Sequence, residues 1–392
     1  MPIQRPRILH ASQMAGTGVV SPSNLNATAQ GSGANKNILI NGAMTVAQRG
    51  TSTTGLQNTG GVYTIDRFSY RRAGTWSNFD SKHEQVDVTD ALPYSKGFYK
   101  ALRVTCTTAE GSVPSGTECT GIGYYIEKQD LYKLCVGSSS MKTPVISFYV
   151  KASIATTYSF TIQAPAHSTT QQIDIPFTVS SANTYEKISI TIPTYNVAFD
   201  STADNAAGWY LFWGLDGVPS SRTASAWGGS SDGFIMPNGV STTGFSNTLN
   251  ATFEITGVQL EIGDTATEFE HEPFERTLAK CQRYCQLIKT NDGYYNYNGH
   301  VNASAGSYIL VPLIVPMRTA PTGITVTNVG SWGHVVYGSL NRGCNSITFG
   351  TATTKTISLD LNDASGGFTI GQGSMLYDGG ADGVIEFTGA EL

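Results

Sequence analysis

Short runs of β-branched and aromatic residues, separated by turn residues, recur along most of this 392-residue chain. The segment 144–153, PVISFYVKAS, is typical, because Ile146, Phe148 and Val150 alternate with more polar residues. A two-residue alternation places one set of side chains on each face of a strand, so that one face is buried and the other is not. We therefore expect an all-β fold built from half-buried strands.

The composition supplies the turns that such strands need. The chain contains 43 glycines, and only 14% of its residues are charged, against about 25% in an average globular protein. Short strands with many polar turns and no internal repeat favour a jelly roll or β-sandwich over a propeller or solenoid. The length allows two or three domains.

One segment breaks the β pattern. Residues 273–288, PFERTLAKCQRYCQLI, predict a short α-helix, with proline at its first position and basic residues toward its end. Apolar side chains recur every three or four residues and form a narrow seam: Phe274, Leu278, Cys281, Cys285 and Ile288. This seam needs a partner, either the flanking domains or copies of itself, because one short helix does not form a stable coiled coil alone.

The pattern divides the chain into four parts. These are an N-terminal arm at 1–36, a jelly-roll domain at 37–271, a linking helix at 272–290 and a second, C-terminal β-sandwich domain at 291–392.

The predicted arm is small, polar and aperiodic, so it cannot bury enough surface to fold alone. It holds Arg5, Arg7 and Lys36 and no acidic residue, whereas the whole chain has a net charge of −5. It is either a flexible tail or an attachment arm that orders on a partner. It lacks the apolar stretch of a signal peptide, and no segment has the length of a membrane span, so we expect no membrane insertion. The acidic balance disfavours nucleic-acid binding.

A search for catalytic, cofactor and metal motifs finds none that we accept, and we expect no enzyme, no cofactor and no metal. Cys281 and Cys285 lie one helical turn apart, but a structural zinc needs four ligands and no second pair is nearby. Two small residues in a buried seam are the simpler interpretation. Cys106 and Cys119 flank a turn and could pair, although free thiols are again the simpler prediction.

Aromatic residues of the last domain are candidates for a glycan contact, because exposed aromatic rings stack on sugars at a low entropy cost. These candidates are Tyr294, Tyr295, Tyr297, Trp332 and Tyr337. The alternative is that they are core residues of the sandwich.

Several stretches carry a family resemblance. NILINGAMTVAQRGTS at 37–52 and YTIDRF at 63–68 resemble the opening of a domain common in tailed-phage fibre and virion-surface proteins. ISFYVKAS and YEKISITIP resemble its central strands, and VQLEIGDTATEFEHEPFERTLAKCQRYC at 258–285 resembles its end. VPMRTAPT at 315–322 resembles the entry to the β domain that often follows.

This resemblance implies a carbohydrate-binding-module-like jelly roll in a virion protein of a tailed phage, often a homotrimer, assembled in the host cytoplasm. A tail fibre or adhesin is the main hypothesis. Its arm, with Arg5, Arg7 and Lys36, would dock to other virion proteins, and its C-terminal domain would contact a host-surface glycan or receptor. The resemblance transfers no catalytic residue.

Three alternatives stay open. A head fibre or capsid decoration protein would use the same arm on the capsid. A polysaccharide depolymerase usually has a repetitive β-helix and paired carboxylates, which the sequence does not show. A cellular carbohydrate-binding module predicts a secretion signal, which is not seen.

Overall fold

The chain is described by a computed structural model, which covers residues 36–57, 60–165, 170–200, 202–219, 222–229, 240–290, 295–336, 340–363, 365–378 and 382–392. Its first unit contains strands β1 (Ser52–Thr53), β2 (Val62–Ile65), β3 (Phe68–Ala73), β4 (Asp80–Asp87), β5 (Lys100–Thr108), β6 (Cys119–Glu127), β7 (Pro144–Ala152), β8 (Thr157–Ala164), β9 (Gln171–Thr178), β10 (Glu186–Thr191), β11 (Ala207–Gly217), β12 (Gly228–Gly229) and β13 (Thr252–Ile262). Its second unit contains β14 (Leu287–Lys289), β15 (Tyr295–Ala303), β16 (Gly306–Pro312), β17 (Gly323–Thr327), β18 (Trp332–Val336), β19 (Leu340–Gly343), β20 (Ser346–Ala352), β21 (Thr356–Asn362), β22 (Gly373–Asp378) and β23 (Val384–Thr388). The helices of the described residues are α1 (Ala91–Tyr94), α2 (Lys128–Leu131) and α3 (Phe274–Gln282), with 3₁₀ turns at Tyr132–Leu134 and Val329–Ser331.

Two antiparallel sheets form the first unit. Sheet I has the order β1-β4-β5-β13-β7-β10, and sheet II has the order β12-β9-β8-β11-β6-β3-β2. Their facing sides enclose one core, in which Phe148 and Trp213 are fully buried. The predicted alternation in 144–153 is confirmed, because Ile146, Phe148 and Val150 point into this core and Tyr149 lies outside it. The opposite face is buried as well, so the expectation of a half-buried strand was wrong for β7.

Two further antiparallel sheets form the second unit. Sheet III has the order β14-β23-β17, and sheet IV has the order β19-β18-β22-β15-β16-β21-β20. Trp332, Leu359, Leu376 and Ile385 are fully buried in their shared core. The predicted all-β class, with sandwich layers and a short helix, is confirmed.

The predicted helix is shorter than expected. It begins at Phe274 and ends at Gln282, and Leu287–Lys289 form strand β14, paired with β23. The prediction that the seam continued to Ile288 on a helix was wrong. The reason is tertiary. Pairing with β23 satisfies the backbone hydrogen bonds of this segment. Two further turns of a short, isolated helix would stabilise the segment less. The segment 272–290 therefore links the units and also supplies a strand to the second.

The seam itself is also different. Phe274, at its predicted start, is 52% exposed, and Leu278 is half-buried. Thr277 and Cys281 are the helix residues that are buried. None of the helices in the described residues is long and apolar enough to cross a membrane.

The six cysteines are free thiols, which agrees with the simpler prediction for Cys106 and Cys119. Cys106 faces the core from sheet I, whereas Cys119 lies in sheet II in a separate small cluster with Tyr210 and Phe212. The two residues are therefore not hairpin partners.

Candidate functional site

Among the described residues of the first unit, the loop between β4 and β5 carries the most exposed aromatic side chains. Its sequence, DALPYSKGFYK at 90–100, forms the single helical turn α1 and then reverses direction. Gly97 makes the reversal, because its φ of +86° lies in the left-handed region that favours glycine. Its N–H donates to the carbonyl of Tyr94 at 3.0 Å, and the chain then turns Phe98 toward sheet I.

Phe98 anchors this loop. It is 1% exposed, and its ring centroid lies 5.3 Å from that of Tyr149 and 4.9 Å from that of Phe269. The sheet can accept this ring because β13 has a bulge at Gly257, whose φ is +63°. A Cβ atom on Gly257 would lie 2.7 Å from the Phe98 ring. Burial of such a side chain stabilises by about 1.5–3 kcal/mol, which is enough to hold a short loop.

The anchored loop presents two tyrosines to solvent. Tyr94 is 52% exposed and Tyr99 is 58% exposed, and their rings meet edge to face with centroids 5.2 Å apart. Leu92 beside them is also exposed. We call these three residues the tyrosine patch. Aromatic faces that are already ordered lose little entropy on binding, which is the property that makes tyrosine effective in recognition surfaces.

Two cavities lie beside the patch. The first encloses about 220 Å³ between the segment 37–45, Tyr99 and α3. The second, which we call the lysine cavity, encloses about 170 Å³ under the loop and is lined by Lys96, Ser147, Tyr149, Lys187 and Glu268, among others. Phe269 and His271 belong to the walls of both cavities.

The groups of the lysine cavity are partly charged. Lys96 Nζ lies 3.5 Å from the Glu268 carboxylate, but this pair is exposed and contributes less than about 1 kcal/mol. His271 Nε2–H donates to the carbonyl of Lys96 at 2.8 Å and so fixes the loop from the other side. Burial, and then the nearby charge of Glu268, raise the pKa of the Tyr149 phenol, which therefore stays a neutral hydroxyl.

A buried ionic group makes the adjoining sheet face rigid. Glu254 accepts from Arg103 at 2.9 and 2.7 Å and from the hydroxyl of Tyr185 at 2.7 Å, and Lys151 lies 3.3 Å from it. Burial, reinforced by the carboxylate of Glu254, raises the pKa of Tyr185 far above its usual value. Fully satisfied polar groups of this kind hold a surface in one arrangement.

The glycan residues predicted in the second unit do not form a site in the described residues. Trp332 is fully buried in the core, so its predicted surface role was wrong, because β18 points it between sheets III and IV. Tyr297 is half-buried against the same core. Tyr294 and Tyr337 lie outside the described residues, and of Tyr295 the structure describes the backbone pairing with Tyr377 alone.

Of the three predicted attachment residues, the structure describes one, Lys36. Arg5 and Arg7 lie outside the described residues. Lys36 lies on the body of the first unit, where its Nζ donates to the Thr267 hydroxyl at 2.7 Å and to the carbonyl of Glu268. Its ammonium is therefore engaged within this chain, next to the lysine cavity.

Sequence reasoning missed the tyrosine patch. A usable signal was present, since Tyr94, Phe98 and Tyr99 surround the turn Ser95-Lys96-Gly97. Three aromatic residues around a lysine-glycine turn indicate a loop with an anchor and exposed neighbours. The sequence pattern does not indicate which of the three rings is buried and anchors the loop.

Residues of four stretches that carry the family resemblance lie at or beside the joint between the two units. Arg67, 1% exposed, donates from Nη1 to Glu391 at 2.9 Å and lies 3.4 Å from the ring centroid of Tyr284. Arg49 binds Glu386 at 2.6 Å and Glu391 at 2.9 Å. We call these five residues, together with Asp66, the joint.

Further bonds extend the joint on both sides. Arg283 makes two bonds of 2.9 Å to Glu127, which also accepts from the hydroxyl of Tyr284. Arg318 donates to the carbonyls of Ala390 and Glu391 at 2.8 and 2.9 Å. The arginines of AQRG, IDRF, CQRY and PMRT therefore all bond partners at or beside the joint.

Cys281 and Cys285 pack in this region as buried thiols. Burial raises the pKa of both thiols well above their usual value, which disfavours the thiolate that a metal requires. No group of three metal-ligating side chains occurs in the described part of the chain.

Comparison with known proteins gives weak likenesses. No family model matches the chain. No curated protein matches it either. A Bacteroides thetaiotaomicron structure to which sugar binding has been ascribed is 12% identical, covers 58% of this chain and 100% of its own, and has a TM-score of 0.30. A family 11 carbohydrate-binding module from Clostridium thermocellum, solved with a β-1,3-1,4-mixed-linked tetrasaccharide, is 12% identical and covers 56% of this chain and 99% of its own, with a TM-score of 0.27.

The enzymatically active domain of tailspike protein 4 from bacteriophage CBA120 is 11% identical, with a TM-score of 0.28. The match covers 58% of the present chain and 22% of that structure. With TM-scores of 0.30 or less, these likenesses assign neither a fold family nor a function to the chain.

Proposed function

We propose that this chain is a non-enzymatic virion-surface protein of a tailed phage, and that its first unit binds a glycan through the tyrosine patch. The observation that carries the glycan proposal is the pair Tyr94 and Tyr99, which are more than half exposed although their loop is anchored. Two ordered aromatic rings that are exposed side by side, next to two cavities, give the concave aromatic surface that is typical of a ligand site.

The virion assignment rests on the resemblance carried by residues 37–322. It is supported by the joint, which contains Arg49 and Arg67 of two resembling stretches and is extended by the bonds of Arg283 and Arg318 from two others. Within this proposal the chain is a tail fibre or adhesin, a homotrimer in the particle, and its arm at 1–36 attaches it to other virion proteins. Deletion of residues 1–36 should abolish incorporation into particles, and normal incorporation would show that the arm does not attach it.

Binding of the purified full chain to bacterial cells and to their purified envelope polysaccharides tests the glycan part. A Tyr94→Ala/Tyr99→Ala double variant is expected to bind about 10-fold more weakly, since each stacked ring contributes roughly 0.5–1.5 kcal/mol. Tyr132→Ala is the matched control, because Tyr132 is also exposed, at 47%, but lies elsewhere, with its hydroxyl bonded to Asp204 at 2.6 Å. Equal binding by the double variant and the control would remove the patch from the proposal.

A further inference from the structure

We infer that the lysine cavity takes the anionic group of an acidic saccharide, so that the glycan bound by the tyrosine patch is a charged one. This inference rests on the function proposed above and specifies its ligand class. The shared chemistry is a carboxylate or phosphate substituent on a sugar ring.

The charges that line the cavity favour an anion. Two lysines, Lys96 and Lys187, line the cavity together with one acidic residue, Glu268. Glu268 forms an ion pair with Lys96, and the Glu268 side chain is 76% exposed. A competing anion can therefore replace Glu268 as the partner of Lys96. Lys187 has no carboxylate within 4.0 Å in the described part of the chain, and its Nζ lies 6.0 Å from the ring centroid of Tyr149. The cavity therefore has one cation in excess.

The register of the sheet builds this arrangement. Lys187 on β10 pairs directly with Tyr149 on β7, which places their side chains next to each other on the outer face of sheet I. Ser147 lies two residues further along the same face and also lines the cavity. A sugar substituent would thus meet a cation at one side, and hydroxyl groups of Ser147 and Tyr149 could exchange hydrogen bonds with the ring hydroxyls.

The size and position of the cavity agree with a single sugar residue. Its volume of about 170 Å³ is below the several hundred Å³ of a pocket for a drug-sized ligand. Lys96 and Phe98 of the loop line it, and Tyr99 of the patch follows Phe98 directly in the chain. One residue of a glycan chain can therefore occupy the cavity while a neighbouring residue stacks on the tyrosines.

Titration calorimetry with the full chain tests this inference. The probes are an α-1,4-galacturonate tetramer, its methyl ester, in which the same carboxyl groups are neutral, and a phosphorylated mannan oligosaccharide. We expect at least one anionic probe to bind about 5-fold or more tightly than the neutral ester at low salt, and the difference to shrink at about 0.5 M NaCl. Which anionic probe is preferred identifies carboxylate or phosphate as the source.

Two variants locate the effect. Lys187→Met keeps most of the aliphatic stem and should reduce the preference to less than about 2-fold, whereas Lys355→Met, an exposed lysine of the second unit, should leave it unchanged. If neither anionic probe binds the wild-type chain more tightly than the neutral ester does, the inference is overturned, and binding of the ester leaves the proposed glycan function standing. An unchanged preference in Lys187→Met would also overturn it. Absence of binding to all three probes would count against both proposals.

Discussion

Replacement of Glu391 by glutamine tests whether the joint holds the two units together. The carboxylate of Glu391 bonds Arg67 Nη1 and Arg49 Nη2, both at 2.9 Å. Arg49 keeps Asp66 and Glu386 as partners in the variant. Arg67 loses its one carboxylate partner within 4.0 Å among the described residues, and it is 1% exposed. The variant therefore leaves a buried guanidinium without an anion.

The magnitude follows from burial. Removal of one partner from a fully buried pair costs about 3–5 kcal/mol. Here the Glu391 side chain is 18% exposed, and Arg67 keeps its 2.6 Å bond to the carbonyl of Tyr125 and its contact with the Tyr284 ring. We therefore expect the free energy of unfolding to fall by about 2–3 kcal/mol.

Urea denaturation at neutral pH, followed by tryptophan fluorescence, measures this loss. Trp213 reports on the core of the first unit and Trp332 on the core of the second. We expect the variant to unfold in two separated steps, because the units are less strongly coupled. The matched control is Asp87→Asn, which breaks a pair with Lys100 that is exposed, at 77% and 38%, and should cost less than about 1 kcal/mol. If Glu391→Gln behaves like this control, the joint does not stabilise the assembly of the two units.

Four further predictions concern the ionisation, exposure and packing of individual side chains. Burial lowers the pKa of His83 to about 3. Below the unfolded-state pKa of about 6.5, the unfolded state alone takes up the proton, so the free energy of unfolding falls by about 1.4 kcal/mol per pH unit. Between about pH 7 and pH 4.5, urea titrations should therefore show that His83→Leu loses about 3 kcal/mol less stability than the wild type. Burial raises the pKa of Asp66 to about 6 from 3.8, so its contribution to stability increases as the pH falls through that window, and Asp66→Asn should make the acid loss steeper. Cys135 alone among the six cysteines is not fully buried, so a thiol reagent should modify one cysteine in the native state and six in urea. Phe274→Ser should change the free energy of unfolding by less than about 0.5 kcal/mol, since the ring is half exposed. Cys281→Ser should lower it by about 1–3 kcal/mol, because the thiol is buried. Equal effects of the two variants would indicate that Phe274 is packed in the seam as predicted.

Local sequence pattern determined the class of the fold. Alternation in PVISFYVKAS was enough to assign Phe148 to the core and Tyr149 to the opposite face, because the two-residue period of a strand is a local property of the backbone. The same reasoning located α3, whose capping and charge signals lie within one or two turns.

The end of that helix could not be predicted in the same way. The run from Cys281 to Ile288 continues the helical spacing, yet Leu287–Lys289 pair with β23, almost 100 residues later in the chain. A local period cannot include the free energy of a hydrogen-bonded partner that is distant in sequence, and here that partner decides the structure.

The two sites show the same division. The sequence alone contained the aromatic residues of 94–99, the bulge glycine Gly257 and the arginines of the resembling stretches, and it determined that the chain would be β-rich. Only the tertiary structure decided that Phe98 is the buried ring and Tyr94 and Tyr99 the exposed ones, that Trp332 is core, and that Arg67 meets Glu391 across two units. The exposure and the ion pairs of a residue depend on the groups that contact it, and in this protein those groups come from segments that are far apart in the chain.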